Sequence, residues 1–156
     1  MKITLAKTAG FCFGVKRATD KIEERCADTD TKRLYIIGEL IHNGIYNAAL
    51  KAKGVSIITV DEAEKIALES DGDVPCEIYI RTHGIPKPDE DRLRALEAEH
   101  RNFKIVNMTC PFVKKIHRIA EAEATSDSLF ALLGSPSHPE VKGIMSYAEG
   151  EALASP

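Results

Sequence analysis

The chain has no tryptophan, and its four cysteines never fall into a C-x-x-C pair. Each shortage excludes something. Cysteines at 12, 26, 76 and 110 lie too far apart for the local ligand patterns of zinc fingers or ferredoxins. A disulfide framework is not expected either. A chain of 156 residues, 44% hydrophobic, can bury a core without cross-links, and the opening Met1-Lys2-Ile3-Thr4-Leu5-Ala6 is interrupted too early by Lys7 to be an export signal. No apolar run approaches the roughly 20 residues of a membrane helix. Basic residues are not in excess: 21 Lys and Arg face 24 Asp and Glu, for a formal net charge of -3, so no global field favours nucleic acid. Neither G-x-G-x-x-G nor a P-loop lysine occurs, which leaves nucleotide binding without a motif. The expectation is a cytoplasmic protein of one domain or two small ones, with no nucleic-acid or membrane partner.

What is present is a repeated punctuation. Five times an apolar, strand-like run ends in a tight polar turn that carries a cysteine or a histidine. Ile3–Ala6 leads into Gly10-Phe11-Cys12-Phe13-Gly14, and Leu34–Ile37 into Gly38-Glu39-Leu40-Ile41-His42-Asn43. Ile78–Ile80 leads into Arg81-Thr82-His83-Gly84, and Lys104–Val106 into Asn107-Met108-Thr109-Cys110-Pro111. Leu129–Leu133 leads into Gly134-Ser135-Pro136-Ser137-His138-Pro139-Glu140. Loops beyond the carboxyl ends of parallel strands converge on one edge of a sheet, so five such turns point to one shared site.

Between the turns the pattern is helical. Val15, Ala18, Ile22 and Cys26 recur at helical spacing over 14–26, and further helices are expected over 43–53, stopped by Gly54, and from Glu62 to Glu69, with Asp61 as N-cap. Residues 55–60 read as a short strand and Asp71–Pro75 as a loop. Helices follow over 88–99, over 112–125 and from Pro139. The alternation predicts an α/β fold of mostly parallel sheets with helices on both faces. A boundary near 100–104 divides a first α/β module, 1–103, from an incomplete second one, 104–156. The second is opened by the strand near 104 and has only two good strands before the closing segment Glu151–Pro156. A two-stranded unit is marginal alone, so it calls for another chain or further residues.

Cys12 and Cys110 share a setting, strand end then cysteine then helix start, where first-turn N–H groups favour a thiolate. A buried inert thiol is the plain alternative for either. Cys26 and Cys76 read as core fillers. His42, His83 and His138 lie in strand-end turns and together suit a phosphate, a metal or a mobile proton. His100 and His117 sit on helices among charges and are read as solvated. Glu140, two residues past His138 at a helix start, suits proton delivery, or simply favours the helix N-terminus by its charge. Lys16 and Arg17 are read as a solvated first turn in preference to an anion contact.

Taken in order, Gly10-Phe11-Cys12-Phe13-Gly14-Val15, Glu39-Leu40-Ile41-His42-Asn43, Thr82-His83-Gly84, Thr109-Cys110-Pro111 and Ser137-His138-Pro139-Glu140-Val141 resemble the motifs of the LytB-type 4-hydroxy-3-methylbut-2-enyl diphosphate reductases. These are iron–sulfur enzymes of the non-mevalonate isoprenoid pathway, and the resemblance covers nearly the whole chain. It implies a fold of three similar α/β modules around a [4Fe-4S] cluster, with this chain holding the first module and part of the second. It implies Cys12 and Cys110 as two of three cysteine ligands; the third lies in a later module and is absent here. It further implies that His42, His83 and His138 contact an allylic diphosphate, the first two nearest the diphosphate, and that Glu140 serves the proton network through which the hydroxyl leaves as water. Electrons would come from an external donor such as ferredoxin or flavodoxin. Soft thiolates suit such clusters, and imidazoles suit a diphosphate.

Other classes remain open at this point. One alternative is a non-catalytic fragment or interaction subunit, docking on a partner chain or on itself through apolar residues such as Leu129, Leu132 and Ile144. Cys12, Cys110 and a histidine would alternatively hold structural zinc. A Cys–His hydrolase has no local signature to support it.

Overall fold

Branched and aromatic residues dominate four short runs that pair side by side, and every pairing is parallel. They are β1 (Arg33–Ile37), β2 (Ser56–Ile58), β3 (Cys76–Ile80) and β4 (Phe103–Asn107), ordered β2-β1-β3-β4. The computed structural model describes residues 2–7, 9–28, 33–69, 74–148 and 151–155. Register is regular: Tyr35 pairs with Ser56 on one side and Ile78 on the other, and Ile78 pairs in turn with Ile105. The central strand β3 is buried along its whole length, as a strand covered on both faces must be.

Alternation along the strands sends successive side chains to two separate cores. Ile37, Ile78, Ile80, Phe103 and Ile105 pack with Ala63 and Ala67 of α3 (Val60–Glu69) and Leu93 of α4 (Lys87–Glu99). Ile36 and Tyr79, one residue out of phase, pack with Ala18 and Ile22 of α1 (Phe13–Ala27) and Leu50 of α2 (Gly44–Ala52). Beyond the sheet come α5 (Pro111–Glu123), β5 (Leu129–Leu133), α6 (Pro139–Met145) and β6 (Glu151–Ser155), with β5 and β6 forming a parallel pair of their own. Among the described residues no helix is long and apolar enough to cross a membrane.

Several expectations are corrected. Residues 3–6 are not a strand: Ile3 and Leu5 are 77% and 81% exposed. A strand exists only where a neighbour takes its backbone bonds, and neither edge of either sheet receives this segment. The strand near 104 does not open a second unit; as β4 it is the edge of the first sheet, which an alternating pattern alone cannot tell apart. The closing segment contributes a strand, β6, in register with β5 from Leu129↔Glu151 to Leu133↔Ser155. Of the expected loop, 71–73 lie outside the described residues.

The cap of α3 is Thr59, not Asp61. Thr59 Oγ1 accepts from the Glu62 N–H (3.2 Å), while the Glu62 carboxylate accepts from the Thr59 N–H (2.7 Å). This reciprocal box satisfies two helix-end donors and holds the Glu62 carboxyl below its usual range. Thr59→Ala is expected to lower unfolding free energy by about 1 kcal/mol, read from urea midpoints. An unchanged midpoint would mean that water caps α3 equally well.

Candidate functional site at the strand ends

β1 and β3 are neighbours, yet the helices that follow them go to opposite faces, α2 to one core and α4 to the other. That divergence opens a crevice at their carboxyl ends. Gly38 begins the β1 turn with φ +68°, and Leu40 and Ile41, 0% and 4% exposed, anchor it, leaving His42 outward. The β3 turn is tied to it directly: the Thr82 N–H and Oγ1 both donate to the Leu40 carbonyl, at 3.3 and 2.9 Å. The result is a stacked pair of imidazoles, His42 on His83, with ring centroids 4.5 Å apart and planes 27° apart. His138, arriving from the turn after β5, meets both edge-on at 5.9 and 6.0 Å. The three turn histidines singled out by the sequence therefore share one place.

The cysteine turns are fastened to the same edge. The Cys110 N–H donates to the Thr82 carbonyl (2.9 Å), so Leu40, Thr82 and Cys110 link the β1, β3 and β4 turns in series. Thr82, 3% exposed, is thus a structural node that its place inside a short motif does not reveal. Cys12 is the N-cap of α1 and Cys110 that of α5, and neither helix start receives a side-chain cap. Cys110 Sγ lies so close to Gly14 that a Cβ there would come within 2.5 Å of it, which places this sulfur against the first turn of the helix that Cys12 opens. No disulfide joins any of the four cysteines; Cys76 is buried in the core and Cys26 packs against the α1–α2 side, as expected of core fillers.

Two cavities adjoin the histidines. One, about 270 Å³, is lined by Phe11, Val15, Ile41, His42, Asn43 and His83. Phe11, next to Cys12, leans edge-on against Tyr46 at 6.4 Å and so joins the cysteine turn to α2. The other, about 430 Å³, has His138 and the half-buried Glu140 in its wall, together with Ile116, Leu132, Val141 and Ile144.

The electrostatics favour an anion. Burial, and then the neighbouring His42, Arg81 and His138, push the His83 imidazole below its ordinary pKa. Arg81 is itself lowered by burial; its Nε donates to the Gly84 carbonyl (3.1 Å), and its Nη1 fills space that only a glycine at 38 leaves free. His138 Nδ1 accepts from the Glu140 N–H (3.2 Å), which fixes the proton of the neutral ring on Nε2 and leaves that atom as the free donor. An anion entering among these groups would draw His83 back toward its protonated form.

His117 corrects its expected placement. It is 5% exposed, stacked on Tyr147 at 4.3 Å, and its Nε2 has no partner. Its ring faces Gly84 and Gly143, where α6 closes on the β3 turn. Of the charges around it in sequence, Lys115 lies exposed, whereas Lys114, Arg118 and Glu121 share a pocket with the ring, which the inward register buries beside them. His100, at the C-cap of α4, is half-buried. Arg17 also departs from expectation, since it reaches two backbone carbonyls near Cys110 instead of solvent; Lys16 does pair at the surface with Asp20.

Burial, the largest cause in both, holds His83 and His117 below the ordinary imidazole range. The unfolded chain takes up these protons near pH ~6.5 while the folded one still resists them. Stability is therefore complete above about pH 6.5 and falls as pH drops through the lower folded values. Urea midpoints between about pH 5 and pH 7.5 should show this decline, and His117→Phe should flatten it. A pH-independent midpoint across that window would contradict the assignment.

The residues present fit two positions of a soft metal centre: two thiol-bearing N-caps, with one sulfur seated in a cradle that a Cβ would fill. Among the described residues no group of three His, Cys, Asp or Glu side chains is arranged to hold a metal ion, so the Cys12–Cys110–histidine set considered for zinc is not formed.

A parallel α/β sheet with histidines at its topological switch point and helix-capping cysteines beside them defines a strand-end ligand site of the doubly wound class. The chain belongs to the LytB family, whose model, described as LytB protein, matches residues 3–155. Among curated relatives, the 4-hydroxy-3-methylbut-2-enyl diphosphate reductase of Campylobacter hominis is 41% identical over 98% of this chain and 49% of its own. That of Caldanaerobacter subterraneus subsp. tengcongensis is 38% identical over 97% and 49%. A solved structure of (E)-4-hydroxy-3-methyl-but-2-enyl diphosphate reductase, the terminal enzyme of the non-mevalonate pathway, superposes with a TM-score of 0.73 at 30% identity. It covers 99% of this chain and 50% of that one. The Plasmodium falciparum structure, at 24% identity and TM-score 0.73 over 94% of this chain and 42% of that one, shares the fold. The chain thus spans about half the length of the curated relatives it matches.

Proposed function

We propose that this chain carries cluster- and substrate-binding groups for the reductive dehydroxylation of 4-hydroxy-3-methylbut-2-enyl diphosphate to isopentenyl and dimethylallyl diphosphates. The observation that carries this reading is the meeting of His42, His83 and His138 on the sheet edge to which the Cys110 turn is tied. Cys12 and Cys110 would hold a [4Fe-4S] cluster, and a cytoplasmic setting would keep both thiols reduced. Such a cluster, when bound, supplies electrons from an external donor of the ferredoxin or flavodoxin kind.

The chain's own groups take the remaining tasks. His42 and His83, stacked and flanked by Arg81, bind the diphosphate as donors. His138, whose Nε2 is its free donor atom, orients the substrate beside Glu140. Glu140, half-buried at the start of α6, holds the proton that the departing hydroxyl needs to leave as water. Two electrons and two protons enter for each water released.

Anaerobic supply of iron and sulfide to the full chain, followed by electron paramagnetic resonance after reduction, tests the reading. A cluster signal is expected, lost in Cys12→Ser and in Cys110→Ser. A colourless, zinc-loaded product indifferent to iron would overturn it.

One observation favours a second reading, in which the chain works only when paired with another chain or with itself. Leu129, Leu133 and Leu153 lie exposed on the β5–β6 pair, at 59%, 86% and 55%. Ile144, expected among them, is instead 3% exposed, and Leu132 is half-buried. Sedimentation at two concentrations decides: a single monomeric species at both would remove this reading.

A further inference from the structure

Arg17 stands on the second turn of α1, five residues past Cys12, with Lys16 before it and Asp20 three residues on. Its side chain does not join them. Nη2 donates to the carbonyl oxygens of Met108 (3.0 Å) and Thr109 (2.9 Å), the two residues that run directly into Cys110. Its Nε is buried without a partner, and it forms no ion pair with a described carboxylate. A guanidinium placed this way is committed to backbone: the two hydrogens of one nitrogen, fixed in the guanidinium plane, serve both carbonyls, where the rotating donors of an ammonium are not pre-oriented.

A second contact joins the same two segments. Cys110 Sγ rests on Gly14, within the first turn that Cys12 caps. Helix α1 therefore grips the Cys110 turn at two points: sulfur against Gly14 at the thiol itself, and Arg17 on the two preceding carbonyls. One contact would leave the turn free to pivot. Two, about one helical turn apart, fix both its approach and its orientation. Sheet hydrogen bonds hold the turn only from its other side, through the Met108 N–H to Ile80 and the Cys110 N–H to Thr82.

We propose that Arg17 is a positioning residue for the Cys12–Cys110 pair, presetting the separation of the two thiols before any metal arrives. This rests on the reading that both thiols serve one metal centre. Losing the partner that orients a metal ligand typically lowers metal affinity by about 10- to 100-fold, and a loss of that size is expected here.

The test uses the full chain, anaerobic and free of iron, with two probes. Phenylarsine oxide is retained only where two thiols reach one arsenic, and cadmium ion alone reports thiolate binding through its ultraviolet absorption. The wild type should capture the arsenical, and Cys12→Ser should not. Arg17→Gln should bind cadmium about tenfold more weakly or worse, with its helix content and its count of reactive thiols in denaturant unchanged. Arg17→Lys should fall between the two. Cadmium affinity in Arg17→Gln equal to the wild type overturns the proposal. If Arg17→Gln does not fold, Arg17→Lys decides, and wild-type affinity in that variant assigns Arg17 to stability alone. If the wild type itself fails to capture the arsenical, the shared-centre reading fails first, and the positioning role with it.

Discussion

Arg25→Ala is expected to destabilise the fold by about 3–5 kcal/mol, because it removes the bidentate cation from a carboxylate inside the sheet–helix interface. Arg25 closes the last turns of α1 onto β3: its Nε and Nη2 donate to the two oxygens of Glu77 at 2.9 and 2.8 Å. Tyr79 Oη donates to the same carboxylate at 2.7 Å, and Asp28 binds the guanidinium from the surface side. Both partners are withdrawn from water, the side chains of Arg25 and Glu77 being 14% and 11% exposed. The hydrogen bonds that Arg25 donates to Glu77 come first among the causes that raise the Arg25 pKa, so the guanidinium stays charged at any working pH. The large loss comes from a buried carboxylate that has lost its bidentate cation and not from the net worth of the pair. A double variant, Arg25→Met with Glu77→Leu, should accordingly recover much of it. Urea unfolding of all three proteins is the measurement. A loss below about 1 kcal/mol in the single variant would show that the pair behaves as a solvated one.

Gly14→Ala should separate stability from metal binding. Gly14 lies within α1, where alanine ordinarily gains about 1 kcal/mol over glycine. Here the new Cβ would meet Cys110 Sγ at 2.5 Å and its Cβ at 3.1 Å, and overpacking of this kind costs typically about 1–3 kcal/mol. The two effects nearly offset, so the midpoint should shift little. The sulfur, however, must move by about 1 Å to restore a normal contact. Iron uptake under reconstitution is therefore expected to fall to the level of Cys110→Ser while the fold remains. Retention of a wild-type cluster signal would mean that the Cys110 rotamer is free to reorient, and that the close approach does not set the thiol.

Local pattern made much of this molecule legible. Short apolar runs ending in polar turns gave β1, β3, β4 and β5, and helical spacing gave all six helices to within a few residues, since a run marks a covered strand and the spacing marks a buried helix face. The candidate site residues were legible for a related reason: each but Cys12 sits where a strand ends and the chain turns, a place marked by glycine, proline and polar residues. His117 escaped because charged residues flank it in sequence, and only Tyr147 and the α6 turn packed on its ring show that it is buried. Arg17 escaped because an arginine among lysine and aspartate looks solvated until a carbonyl from position 108 lies beside it. Residues 3–6 misled in the opposite sense, since a strand-like pattern carries no information about whether a neighbour is there.

The sequence by itself determined most element types, the parallel α/β class, the family and the five turns that carry the candidate site residues, because these depend on spacings of a few residues. Only the tertiary structure decided that β4 completes the first sheet, that β6 pairs with β5, that the strand order diverges between β1 and β3, and that His42, His83 and His138 meet there. It alone placed Cys110 against Gly14 and tied the turns together through Thr82 and Arg17. The physical reason is range. Hydrophobic periodicity is set by neighbours along the chain, whereas a stacked ring pair or a guanidinium on a distant carbonyl depends on which strands lie side by side, and that is settled by burial summed over the whole sheet.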